Sequence, residues 1–246
     1  MKKLLTYLLC CSTLGFFVDA QATPPADSMT KNGENKFEIG LSFSSRDYEI
    51  KNCSSRSCDG DISALSITAS KTYNITNKVD MYSNITGHAL VSIYNSNSFF
   101  DLSSNYELDF GIRGELFNSN KVALITYTQL KYMHISAIYE GDGMVQPDPK
   151  ISGVEGSVGA IAITNISNNL SLYSGIEASP FNKMKISYEG YDKNEYDIKE
   201  YKEYLKDRKL TYRLGLNYIM NNKKYLNGEI AVGGKKSIGV KIGFVF

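Results

Sequence analysis

The stretch Ser237-Ile-Gly-Val-Lys-Ile-Gly-Phe-Val-Phe246 decides how the rest of the chain is read. Side chains in a strand alternate between two faces. Ile238, Val240, Ile242, Phe244 and Phe246 therefore share one strongly apolar face, while Ser237, Gly239, Lys241, Gly243 and Val245 share a mostly small or polar one. An apolar face this continuous needs a packed core or hydrocarbon against it.

The same period of two recurs upstream. Phe37, Ile39, Leu41 and Phe43 alternate with Glu38, Gly40, Ser42 and Ser44; Tyr106, Leu108, Phe110 and Ile112 alternate with Glu107, Asp109, Gly111 and Arg113. Leu210, Tyr212, Leu214, Leu216 and Tyr218 repeat the pattern, and helical spacing fits these segments poorly. The alternation predicts ten strands, at about 37–50, 62–75, 78–94, 103–118, 121–139, 150–166, 170–187, 207–221, 224–233 and 236–246. Short Asn-rich turns at 74–77, 118–120, 165–169 and 221–223 suit positive φ. They alternate with longer polar loops near 51–61, 95–102, 140–149 and 188–206, and a tight turn at Gly233-Gly234-Lys235 joins the last two strands.

Alternating short and long connections mark transmembrane β-barrels, with short periplasmic turns and longer extracellular loops. A closed barrel also leaves no strand edge unpaired in hydrocarbon. The expected fold is all-β: a closed antiparallel up-and-down transmembrane barrel of ten strands over 37–246. A soluble β-sandwich would alternate too, but it does not predict the loop lengths. The apolar face of 237–246 then looks into lipid.

The N-terminus points to export. Lys2 and Lys3 precede an apolar stretch from Leu4 to Phe17 and a small-residue exit, the form of a secretory signal peptide over 1–20, with Ala22 as an alternative cleavage point. Residues 21–36 read as a mobile lead-in. Cleavage removes two lysines and one aspartate and leaves the mature chain formally neutral. A nucleic-acid binder should instead show a basic excess. Cys10 and Cys11 leave with the signal, so Cys53 and Cys58, in a polar loop of an exported chain, are expected to form a disulfide. No second ligand pair stands near them and the chain has two histidines, so no metal and no cofactor are expected.

The alternating final strand ending on Phe244 and Phe246 resembles the sorting signal of bacterial outer-membrane barrels. Over 37–246 the chain resembles the small monomeric barrels of the opacity-protein and outer-membrane-protein-A-like group. That resemblance implies a monomer in the outer membrane, inserted by the barrel assembly machinery and surrounded by outer-membrane lipid including lipopolysaccharide. It also implies adhesion, binding of a host or surface ligand, or membrane support through the extracellular loops.

Strand parity predicts an inward set of Glu38, Asp80, His88, Glu107, Asp109, Arg113, Glu115, Lys131, Glu155, Glu177, Arg213, Glu229 and Lys241. Small barrels are filled by their own side chains, whereas open aqueous bores belong to much larger ones. A structural ion network is therefore expected there, with a narrow solute path as the alternative. Pairing the third and fourth strands about the 95–102 loop sets His88 opposite Asp109, with Glu107 or Gly111 opposite after a slip of two residues.

Three patterns bear on chemistry. His134-Ile135-Ser136 resembles the His-x-Ser of outer-membrane lipid A deacylases, in which a His activates a Ser nucleophile on the lipid-facing surface. The Asn-Ala that usually follows there is Ala137-Ile138 here, and no orienting acid is evident. In strand number the chain also resembles the omptin surface proteases, which need a His-Asp dyad and an acidic pair at the outer rim; no Asp-x-His segment occurs. Finally, Tyr188 to Lys206 interleaves Tyr with Lys, Asp and Glu, which suits an extended polar hairpin that could also serve as a binding surface.

Overall fold

The structure, a computed structural model, describes residues 34–50, 59–93, 96–99, 105–119, 121–136, 148–189, 201–207, 210–221, 224–233 and 235–246. The expected signal peptide over 1–20 and both Cys53 and Cys58 lie outside the described residues, as do most of the expected long loops. The strands are β1 (Asn35–Ile50), β2 (Asp59–Thr76), β3 (Val79–Ile93), β4 (Ser96–Phe99), β5 (Tyr106–Asn118), β6 (Val122–Ser136), β7 (Asp148–Asn165), β8 (Leu170–Glu189), β9 (Tyr201–Asp207), β10 (Leu210–Asn221), β11 (Lys224–Gly233) and β12 (Lys235–Val245).

Each main strand pairs antiparallel with its neighbours, and β12 returns to β1, so that Lys36 faces Val245 and Arg46 faces Lys235. Two backbone hydrogen bonds between Asn35 and Phe246, at 2.9 and 3.0 Å, finish the seam. With β4 and β9 as short additions, the wall is a closed ten-stranded antiparallel barrel.

Burial follows the two-residue period. On β5 every second residue from Glu107 to Arg113 is buried, as is every second residue of β6 from Ile125 to Met133, with the residues between them half-buried or exposed. The outward set is apolar all round: Leu41, Ile85, Phe110, Leu130, Leu214, Val232 and Val240 are each at least 45% exposed. Such a surface would collapse in water, and it matches the hydrocarbon band that a tilted strand of about ten residues crosses. The chain is an outer-membrane β-barrel. Outward threonines satisfy their hydroxyls on the wall itself, as Thr126 Oγ1 does on the Gly114 carbonyl at 3.5 Å and Thr128 Oγ1 on that of Ser157 at 3.3 Å.

Three details depart from the sequence reading. The expected 95–102 loop contains β4, which folds back on β3 with Ile93 facing Ser96. Because β4 occupies the upper edge of β3, β5 joins lower, with Gly87 opposite Tyr106 and Val79 opposite Gly114. His88 is therefore not opposite Asp109; Asn84 is. The expected 188–206 loop likewise contains a strand, β9, which pairs β8 at Lys185–Tyr188 and β1 at Tyr48–Ile50, while β10, the expected eighth strand, pairs β8 from Leu170 to Ala178. β9 thus bends over the short β11–β12 turn to reach β1. At that turn Gly233 has φ +121°, and a Cβ there would lie 2.5 Å from the Leu210 carbonyl oxygen.

Candidate functional site

The inward set converges on three linked clusters. Near the short-turn end, Arg113 on β5 grips Asp80 on β3 through Nε at 3.0 Å and Nη2 at 2.8 Å, and Asn74 Nδ2 donates to the other Asp80 oxygen at 3.0 Å. Parity alone aims these side chains inward, and the β3–β5 register sets them directly opposite. Both are fully buried.

The second cluster centres on Arg213 of β10. Its Nη2 lies 2.7 Å from Glu177 on β8 and its Nη1 2.7 Å from Glu229 on β11. Tyr127 donates to Glu177 at 2.8 Å, and Tyr173 donates to Glu229 at 3.0 Å. One cation, two anions and two phenols thus tie β6, β8, β10 and β11 together across the lumen.

In the third cluster, Lys131 Nζ on β6 donates to Glu107 at 2.5 Å and lies 3.9 Å from Asp109. Gln129 donates to Asp109 at 3.0 Å and accepts from Tyr82 at 3.2 Å. His88 reaches this cluster diagonally, with Nε2 at 3.4 Å from Glu107, while Ser66 Oγ lies 2.8 Å from its Nδ1. Glu155 accepts from Ser179 at 2.5 Å, and Lys241 lies across Gly40, where a Cβ would sit 2.7 Å from its Cγ. Glu115 differs: half-buried beside a bulge, it accepts from Asn118 at 2.7 Å at the short-turn rim.

A second motif, absent from the inward set read above, organises the same space. Four inward tyrosines stand directly opposite inward glycines at two-strand intervals: Tyr82 over Gly111, Tyr127 over Gly159, Tyr173 over Gly215 and Tyr225 over Gly243. A Cβ on any of the four glycines would lie 2.0–2.4 Å from the ring. Each ring therefore lies flat on a neighbouring backbone. Three of the hydroxyls reach one strand further, to Gln129, Glu177 and Glu229. Ile125, Ile161 and Ile163 pack with Tyr127 and Tyr173 into an apolar plug. The signal was present in the sequence as inward Tyr and Gly of matching parity on adjacent strands, but it becomes visible only once register is known.

What this lumen can do chemically follows from its dryness. Glu38, Asp80, Glu107, Asp109, Arg113, Lys131, Glu155, Glu177, Arg213, Glu229, Lys241 and His88 are each at most 5% exposed. An aqueous bore would leave such groups wet. Among the described residues no group of His, Cys, Asp and Glu has the arrangement of a metal site.

His134 and Ser136 sit elsewhere, on the outward parity of β6 near the long-loop end, both half-buried. The His134 ring packs on Tyr106 at 5.6 Å, and the Ser136 amide donates to Asn105 Oδ1 at 2.6 Å. Their cross-strand partners are Tyr106, Ser152 and Lys150, none of them acidic. Phe244 and Phe246 are both outward, and Phe246 is 59% exposed.

No family model matches the chain, and no curated protein matches it in sequence. Solved structures match its shape. The outer membrane protease OmpT from Escherichia coli overlaps at TM-score 0.56 and 11% identity, over 90% of this chain and 100% of that one. The translocator domain of the autotransporter NalP from Neisseria meningitidis overlaps at 0.47 and 11% identity, over 90% and 91% of the two chains. An outer membrane channel from Pseudomonas putida F1 overlaps at 0.45 and 10% identity, over 92% and 100%. The first likeness is one of fold, and the architecture is that of the small outer-membrane barrels.

Proposed function

We propose that this chain is a sealed outer-membrane scaffold that presents its long-loop end to the exterior for partner binding. The observation that carries the reading is the dry lumen. Opposed Tyr–Gly pairs and ion clusters occupy the space a solute would need, and the ionisable groups are paired within the wall rather than aligned along a path. Desolvating so many charges is costly unless they are paired and hydrogen-bonded. That arrangement suits a rigid pedestal better than a pore, and the pairing of β9 with both β8 and β1 braces the exposed end.

Planar-bilayer recording tests the sealed state. The purified barrel should insert without steady single-channel steps. Regular, salt-dependent steps from wild-type protein would replace this reading with the narrow channel. Binding is tested separately by removing residues 190–200 and measuring adherence of expressing cells to host surfaces. Unchanged adherence would count against the β8–β9 hairpin as the binding element.

A further inference from the structure

The inner faces of β2 and β3 form a ladder in which every rung can hydrogen-bond. Its lowest rung pairs Asn74 with Asp80, and its highest pairs Ser66 with His88. Between them, at two-residue steps, stand Thr72 with Tyr82, Ser70 with Asn84 and Thr68 with Thr86. The nine residues from Ser66 to Asn74 match the length of strand that crosses the hydrocarbon when tilted. From β5 to β12 the inner columns are interrupted instead, by rings lying on glycines and by the isoleucine plug.

Three rungs close on themselves. Asn74 Nδ2 donates to Asp80 at 3.0 Å, the Thr68 and Thr86 hydroxyls lie 2.9 Å apart, and Ser66 Oγ lies 2.8 Å from His88 Nδ1. The highest rung continues across the lumen, because His88 Nε2 is 3.4 Å from Glu107, which Lys131 also holds, with Asp109 behind. The middle differs. Ser70 Oγ, Thr72 Oγ1 and both polar atoms of the Asn84 amide have no hydrogen-bond partner among the described residues, and all three side chains are 1% exposed. Leaving buried polar groups unmatched is costly, and native proteins commonly satisfy them with ordered water. Successive rungs are about 7 Å apart. One water donating on one side and accepting on the other spans about 5.5 Å between oxygens, and a hydroxyl leaning along its strand closes the remainder.

From this geometry we infer that the β2–β3 ladder is a proton path through a barrel otherwise closed to solutes. Its occupants are single water molecules held between the rungs at Thr72, Ser70 and Asn84. Each hydroxyl or water oxygen accepts a proton on a lone pair and releases its own to the next oxygen. One proton enters, one leaves, and no bond is made or broken overall. Asn84 orients the water beside it, since an amide both donates and accepts. Asp80, gripped by Arg113, remains an acceptor that aligns the lowest step. His88 takes the proton from the Ser66 side on one ring nitrogen and gives one to Glu107 from the other. Apart from the half-buried Asn74, every member of the ladder is at most 2% exposed, which leaves no passage for a hydrated ion. The path therefore goes beyond the sealed reading and rests on it only for the exclusion of ions.

The mature barrel reconstituted in vesicles that enclose a pH-sensitive dye tests the path, with a potassium gradient and valinomycin driving protons inward. Wild-type vesicles should acidify at least tenfold faster than protein-free ones. Thr68→Val combined with Thr86→Val keeps the side-chain shape and removes the 2.9 Å hydroxyl contact. That variant should return the rate to the protein-free level while retaining heat-modifiable gel mobility. Wild type that acidifies no faster than protein-free vesicles overturns the inference, as does a folded double variant that conducts like wild type. Should the double variant not fold, Ser70→Ala alone decides: an undiminished rate refutes the path and a severalfold loss supports it. Sodium and chloride flux in the same vesicles separates the two readings. Ion flux that matches the proton flux means an open bore and defeats both, whereas a barrel tight to ions and protons alike defeats this inference alone.

Discussion

Replacing Arg213 with Met removes the guanidinium shared by Glu177 and Glu229, each at 2.7 Å, with all three side chains 2–3% exposed. Methionine keeps much of the side-chain length and its packing, so the change isolates the charge. Removing one member of a buried ion pair costs about 3–5 kcal/mol, because the survivor is left uncompensated. Here two carboxylates are orphaned, which places the expected loss near the upper end, at about 5 kcal/mol. It should not double, because Tyr127 and Tyr173 still donate to the two anions. Against a typical total of about 5–15 kcal/mol this is a large fraction. Reversible urea unfolding in phospholipid vesicles should show a lower midpoint with an unchanged slope. Adding Glu177→Gln and Glu229→Gln to Arg213→Met should recover most of the loss, since the buried charges are then gone. The reasoning is refuted if Arg213→Met lies within about 1 kcal/mol of wild type, or if the triple variant is no more stable than the single one.

Other expectations follow from the same structure. Gly243→Ala puts a Cβ 2.0 Å from the Tyr225 ring and should cost about 1–3 kcal/mol; Tyr225→Ala together with Gly243→Ala should cost less than the sum, as a double-mutant cycle in urea would show. Combining Tyr82→Ala with Tyr173→Ala should open the plug and give measurable bilayer conductance where wild type gives none; continued silence in a folded variant would mean that other side chains seal the lumen. Non-reduced peptide mapping of mature protein should find Cys53 joined to Cys58, and replacing both should leave gel mobility unchanged because the bridge closes only a short loop. Lipid A extracted from expressing cells should keep its mass; a loss of one acyl chain that disappears in Ser136→Ala would establish the deacylase instead.

How far the sequence carried the reading can be traced through particular residues. The period of two in segments such as 37–43 and 237–246 specified which side chains face lipid, because a one-residue slip would turn every side chain around. Parity alone therefore placed Arg113, Arg213 and Glu229 in the lumen. Register between strands was another matter. It depends on what occupies each edge, and β4, hidden in a polar loop with no alternation of its own, displaced β5 along β3. That displacement moved His88 from Asp109 to Glu107. The four Tyr–Gly pairs escaped for the same reason, since apolar and small residues in a lumen carry no charge to announce a partner.

The place where β9 meets β1 bears on the order of assembly. The seam between β1 and β12 joins residues as far apart as Asn35 and Phe246, and such distant pairings are slow to form. β9 reaches β1 sooner along the chain, with Asp207 against Tyr48. Once that contact holds, Lys235 searches for Arg46 from a tether at Asp207 rather than through the whole intervening chain. Shortening the free loop this way lowers the entropic cost of the final closure by about 2 kcal/mol. In a chain that closes in this order, β9 acts as a basting stitch, holding the cylinder's lip while β10, β11 and β12 are drawn into the gap beneath it.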